Sequence, residues 1–239
     1  MAFTFTTAEQ QSRDSGLKCL VYGPSGMGKT MLCATLPAPL LLSAESGLLS
    51  LKRKNIEKVY GVDAPGISYD IPVVVIKAYE DLLDVYQFLL TPDAAGVRSV
   101  CLDSISEIAE VVLSNLKRSA KDPRQAYGEM MEKVMCLVRK FRDLPGKNVY
   151  FSAKQEAVKD ELTGAQLYGP SMPGTKLGPG LPYYFDEVFR LGMQRQQDGS
   201  IMRFLQTQPD MQYVAKDRSG ALEALEPPHL GYLLNKIHG

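Results

Sequence analysis

Leu17-Lys18-Cys19-Leu20-Val21-Tyr22-Gly23-Pro24-Ser25-Gly26-Met27-Gly28-Lys29-Thr30 is the stretch that sets the fold. Leu17 to Tyr22 is a short, mostly apolar run, the pattern of a buried strand. Gly23 to Thr30 matches G-x-x-x-x-G-K-[ST] at every fixed position. Its glycines let the backbone wrap phosphate groups with N–H donors. A helix is expected from Lys29 to Leu36, ended by Pro37, with its positive end facing the same phosphates. In such a loop the Lys29 ammonium pairs with the β- and γ-phosphates of a nucleotide and the Thr30 hydroxyl ligates Mg²⁺. Pro24, Ser25, Gly26, Met27, Gly28 and the adjoining Met31 complete the candidate nucleotide-binding set. A chance glycine-rich turn is the competing reading, and the strand before the loop and the helix after it argue against that.

A phosphate loop needs a second acidic group at a nearby strand end to order Mg²⁺. Val97-Arg98-Ser99-Val100-Cys101-Leu102-Asp103-Ser104 is a mainly apolar strand closing on Asp103. Asp103 is the expected metal residue. Either Asp103 or Ser104 can cap the helix that begins at Ile105. Glu107, one turn on, is expected on a solvated helix face. Hydrolysis also needs a group that activates water. Leu40-Leu41-Leu42-Ser43-Ala44-Glu45 places a carboxylate just past the strand after the loop helix, on the same edge of a parallel sheet. Glu45 is therefore the candidate general base, against an ordinary exposed loop glutamate.

Outward from these segments, strands and helices alternate. Val73–Ile76 and Asn148–Ser152 read as strands. Tyr79–Leu90, Ile105–Arg118 and Gln125–Phe141 have helical spacing, and Ser46–Val59 is partly helical. Lys154 to Pro182 carries five glycines and four prolines, so a long loop is expected, with room for a hairpin. Asp198-Gly199 between Asp186–Gln194 and Ser200–Thr207 is a hairpin signal. Gln212–Ala215 adds a short strand and Leu230–Ile237 a terminal helix. The result is an α/β fold with a mainly parallel central sheet flanked by helices and antiparallel strands at its C-terminal edge. Residues 1–16 form an N-terminal lead-in and 17–239 one domain.

The bulk composition excludes several classes. Of the 239 residues, 45% are hydrophobic and 23% charged, with zero net charge, so no global basic field favours nucleic acid. No apolar run is long enough to span a membrane. Met1 to Gln11 has neither a basic nor an apolar region, so no secretory signal is expected, and a cytoplasmic setting follows. Four cysteines, at 19, 33, 101 and 136, fit no zinc spacing, and buried free thiols are expected. Two histidines near the C-terminus offer little for metal binding or catalysis.

The order of phosphate loop, strand-end Glu45, strand-end Asp103, polar strand end and glycine-rich loop resembles the RecA-like ATPases. More narrowly, the chain resembles the phage-encoded, core-only group associated with single-strand annealing, whose members are described as AAA-type ATP-binding proteins. The resemblance runs from about Lys18 to Arg218. It implies ATP and Mg²⁺ as cofactors and assembly into a homo-oligomeric ring or filament in the host cytoplasm. It also implies action on single-stranded DNA, with a single-strand-binding protein as a further partner. Lys216 and Arg218 match the pair of basic residues that reaches a neighbour's γ-phosphate, and Gln155 best matches the γ-phosphate sensor, with Lys154 as the alternative. Two segments match the DNA-facing loops: Lys117, Arg118, Lys121, Arg124 and Tyr127 in the first, Lys154, Lys159, Tyr168 and Lys176 in the second. Asp122, Glu156, Asp160 and Glu161 dilute both. A nucleotide-gated assembly protein without a DNA role, and a small-molecule or nucleotide kinase, are the competing functions.

Overall fold

Alternate residues of β1 (Lys18–Gly23) enter two different cores, which explains its unbroken apolar reading. Leu20 and Tyr22 pack with the helices on one face. Cys19 and Val21 pack on the other. The computed structural model describes residues 5–7, 9, 16–45, 47–119, 122–159 and 164–239. Much of the expected lead-in, and Lys121, lie outside the described residues.

The remaining strands are β2 (Pro39–Ser43), β3 (Val73–Val75), β4 (Ser99–Asp103), β5 (Asn148–Lys159), β6 (Gln166–Ser171), β7 (Glu187–Arg195), β8 (Ile201–Gln206), β9 (Lys216–Asp217) and β10 (Leu225–Glu226). They form one sheet in the order β10-β8-β7-β1-β5-β4-β2-β3, with β6 on β5 and β9 on β7. From β3 to β7 the pairing is parallel. The β7–β8 and β8–β10 pairs at the C-terminal edge are antiparallel. Helices α1 (Arg53–Tyr60), α2 (Tyr79–Leu89), α3 (Ile105–Ser119), α4 (Pro123–Arg142) and α5 (Leu230–His238) cover the sheet. Leu82, Ile108, Ala109, Val134 and Phe141 of α2 to α4 close one core. Leu32, Leu36, Leu230 and Leu233 close the other. This is the α/β architecture expected, with a mostly parallel sheet and an antiparallel edge.

Three local readings are corrected. The helix after the phosphate loop is a 3-10 segment, Thr30–Thr35, in which the Leu32 N–H donates to the Lys29 carbonyl at 3.1 Å. β5 does not stop at Ser152. Beyond Lys154 it leaves the parallel sheet and pairs antiparallel with β6, from Lys154↔Ser171 to Lys159↔Gln166. The expected 154–182 loop thus contains the hairpin for which the sequence left room, Lys154–Lys159 on Gln166–Ser171, and the two strands satisfy their backbone groups across the pair. The short strand expected at Gln212–Ala215 forms later, at Lys216–Asp217, and Tyr213 contributes only a bridge to Tyr168. β10 carried no signal in the sequence, because a two-residue strand has no periodicity. The Asp198-Gly199 turn forms as expected, with Gly199 at φ 84°.

Glu187, at the start of β7, is 2% exposed. One of its carboxylate oxygens has no hydrogen-bond partner. Burial, then the neighbouring Asp217 carboxylate, push its pKa up to about 8. The folded state therefore binds this proton more tightly than the unfolded chain, so its contribution to stability is lost as pH rises toward 8. Glu187→Gln cannot ionise. It is expected to raise the unfolding midpoint at pH 8.5 by the equivalent of roughly 1–3 kcal/mol and to change little at pH 5.5. Thermal unfolding of both proteins across that range checks this.

Candidate functional site

Strand alternation brings the chemistry to one edge. Cys101 and Asp103 of β4, and Tyr150 and Ser152 of β5, share a face because side chains repeat every second residue. That face also carries the phosphate loop, which leaves β1 at Gly23. Gly26 and Gly28 take φ of 75° and 100°, so two positions of the loop use backbone geometry that glycine alone adopts without strain. The buried Tyr150 hydroxyl donates to the Lys29 carbonyl at 2.8 Å and anchors the end of the loop. The Lys29 ammonium donates back to the carbonyls of Gly23 at 2.7 Å and Pro24 at 2.9 Å. Burial lowers its pKa, Asp103 and Glu45 act in the opposite direction, and Lys154 lowers it further.

These groups line a cavity of about 800 Å³ that includes Lys29, Thr30, Glu45, Asp103, Lys154 and Gln155. Asp103 is 3% exposed. One of its carboxylate oxygens accepts a hydrogen bond from the Ser152 hydroxyl. Ser104 supplies the helix cap, its hydroxyl oxygen accepting the Glu107 N–H at 3.3 Å. The same hydroxyl donates to Glu45 Oε1 at 2.9 Å. Glu45 is exposed, and its backbone is tied by the Ser43 hydroxyl, which donates to the Glu45 carbonyl at 2.8 Å.

Among the described residues no cluster of three or more His, Cys, Asp or Glu side chains is present. Mg²⁺ keeps several of its waters and takes one or two protein oxygens plus phosphates, and the Thr30 hydroxyl and Asp103 carboxylate both border the cavity. Thr30 and Asp103 are the residues that would hold it.

Glu107 is half-buried, and its exposed part faces the cavity. It borders the cavity and pairs with the Lys154 ammonium at 2.5 Å. Lys154, expected in the second basic segment, thus lies beside the phosphate loop, level with Gly23 in the β1–β5 register. Gln155 also borders the cavity, and its Oε1 is buried without a partner. Met31 turns inward and packs against Ala34 and Ile56, so only its backbone is left to meet a nucleotide. Ser152 is the polar strand end of the sequence pattern, but its role in holding Asp103 was not read there, and Arg203 was given no site role. Arg203 of β8 brings its Nη1 within 3.2 Å of where a Cβ on Gly28 would sit.

Lys216 and Arg218 are not brought to this cavity within the chain. Lys216 lies level with Val188 in β7, which lies level with Leu20 in β1. The pair therefore sits toward the start of β1, roughly 10 Å in strand rise from Gly23. Lys216 Nζ donates to the Pro182 carbonyl at 2.8 Å. Arg218 pairs with Asp186 at 2.9 Å while its side chain stays 62% exposed. Arg218, Lys18, Arg142 and Asp186 line a second cavity of about 730 Å³ at that end.

The two basic segments meet. The Lys117 ammonium lies 4.8 Å from the centre of the Tyr127 ring. The edge of that ring is 3.8 Å from where a Cβ on Gly174 would sit. Arg118 closes α3 and Arg124 opens α4, Lys159 ends β5, and Lys176 borders a groove with Met131 and Tyr184. Tyr168 stacks on Tyr213 at 5.1 Å.

Among the described residues, no helix is long and apolar enough to cross a membrane. No curated protein matches the chain. A family model described as an AAA domain matches residues 15–219, spanning the phosphate loop, Glu45, Asp103 and the Lys216–Arg218 pair. With that match over most of its length, a complete phosphate loop and a mostly parallel sheet, the chain belongs to the AAA domain family of P-loop ATPases.

Proposed function

We propose that this protein binds ATP with Mg²⁺, hydrolyses it at the interface between copies of itself, and acts on single-stranded DNA in phage recombination as a RecA-like ATPase. The observation that carries the reading is the shared cavity of Lys29, Thr30, Glu45 and Asp103. Bound Mg²⁺ neutralises charge developing on the phosphates. Lys29 holds the β- and γ-phosphates, and Asp103, kept in place by Ser152, orders the metal's waters. Glu45 orients the attacking water and takes its proton. Gln155, with an unpartnered buried oxygen, and Lys154 sense the γ-phosphate at the foot of the β5–β6 ribbon.

Lys216 and Arg218 serve a neighbouring copy, where a cation stabilises charge on the transferring phosphoryl group. Their position toward the opposite end of the strands from the loop supports this, because two complementary surfaces at opposite ends make a head-to-tail contact, and such contacts generate rings or filaments. The adjoining Lys117–Tyr127 and Gly174–Lys176 segments, with Lys159 on the ribbon, supply cations and a ring for unpaired DNA.

ATPase rate per subunit is expected to rise with protein concentration and to rise further with single-stranded DNA at low salt. Mixing Glu45→Gln subunits with Arg218→Ala subunits is expected to restore activity that neither has alone, since each supplies the half the other lacks. A rate per subunit independent of concentration, with no restoration on mixing, removes the shared site. Absence of both stimulation and DNA affinity removes the DNA role and leaves a nucleotide-gated assembly protein.

A further inference from the structure

Gly28 has no side chain, and the space one would fill is taken by Arg203. A Cβ at Gly28 would come within 3.2 Å of Arg203 Nη1 and 3.9 Å of Met31 Cβ. Arg203 reaches there from β8, in the antiparallel hairpin with β7. Arg53, Arg142 and Arg218 each engage a carboxylate. Arg203 has no such partner among the described residues, and its residue is exposed. An unpaired cation resting on a phosphate-binding glycine is poised for an anion.

The sheet order says which part of the nucleotide it meets. Asp103 and Glu45 lie on the β5 side of β1, and Arg203 lies on the β7 side. The γ-phosphate must face the metal residue and the base. The other end of the polyphosphate, with the α-phosphate and ribose, therefore runs toward β7 and β8. We infer that Arg203 is a nucleotide-binding residue acting within its own chain, which holds the α-phosphate and ribose end of the nucleoside triphosphate. The inference rests on the reading of the loop as a nucleotide site. It ties the C-terminal hairpin to nucleotide occupancy.

Calorimetric titration of the full chain with ATP and with ADP tests it, using Arg203→Ala, Arg203→Lys, Lys29→Ala and Arg195→Ala. Both nucleotides share the α-phosphate and ribose. Arg203→Ala is expected to weaken ATP and ADP alike, by about tenfold, the scale of one charge-assisted hydrogen bond. Arg203→Lys keeps part of the affinity, and the loss shrinks at high salt. Arg195→Ala, on the same hairpin, controls for general loss of charge, and thermal unfolding controls for folding. Wild-type affinity in Arg203→Ala overturns the inference, as does a loss confined to ATP or an equal loss in Arg195→Ala. Failure of the nucleotide reading looks different: the wild type binds neither nucleotide, or Lys29→Ala binds both as well as wild type does.

Discussion

Lys29→Ala is expected to weaken ATP binding by roughly 10- to 100-fold, from the 1.5–3 kcal/mol typical of hydrogen bonds to charged groups, and to abolish measurable hydrolysis. The reasoning starts from what the ammonium does without phosphate. It sits in a partly buried position, where desolvation lowers its pKa. It donates to the carbonyls of Gly23 and Pro24, closing the loop on itself. These carbonyls are weak substitutes for a polyphosphate, which offers full negative charge at the same place. Binding exchanges neutral acceptors for charged ones, and that exchange is what the alanine variant loses. The fold is expected to survive, because the loop is also held by the Tyr150 hydroxyl on the Lys29 backbone carbonyl, which the substitution keeps. Titration calorimetry and phosphate release measure the two effects. Unchanged ATP affinity in a folded Lys29→Ala protein removes the assignment of the loop.

The parts of this site that could be read in the sequence are those encoded by neighbours in the chain. The phosphate loop is eight consecutive residues, and Asp103 and Glu45 each end a short apolar run, so local pattern places them at strand ends. The parallel sheet then brings those ends to one edge, and the structure has that arrangement. What could not be read depends on register between distant segments. Ser152 supports Asp103 only because β4 and β5 pair with Leu102 opposite Phe151. Glu107 and Lys154 are 47 residues apart and meet across α3 and β5. Arg203 lies on a strand whose sequence shows an ordinary exposed hairpin, and only the β8-β7-β1 order brings it to Gly28. The β5–β6 ribbon was foreseen only as a hairpin somewhere within a long loop. Its glycines and prolines read as loop, yet the backbone pairs from Lys154 to Lys159, and local propensity yields to that pairing.

Glu45→Gln is the variant expected to separate binding from chemistry. It is expected to lower ATP hydrolysis about 10²- to 10⁴-fold, the range for loss of a positioned general base, while ATP affinity stays near wild type. The geometry favours a clean separation. Glu45 is exposed at the rim of the cavity, and its contact with the fold is Oε1 accepting from Ser104 at 2.9 Å. The glutamine amide oxygen can accept the same bond, and the backbone stays tied through Ser43, so only basicity and charge are removed. Asp103→Asn should behave differently, since Asp103 is buried, bonded to Ser152 and assigned to the metal, so its loss should appear in the Mg²⁺ dependence of binding. Single-turnover hydrolysis and calorimetry on the two variants resolve the roles. A Glu45→Gln protein that hydrolyses at the wild-type rate would move the base to the other cavity glutamate, Glu107. That carboxylate is already engaged by the Lys154 ammonium at 2.5 Å. A proton-accepting role there requires Lys154 to be drawn off by the γ-phosphate first, so Lys154→Met would then mimic the bound state and Glu107→Gln would carry the loss.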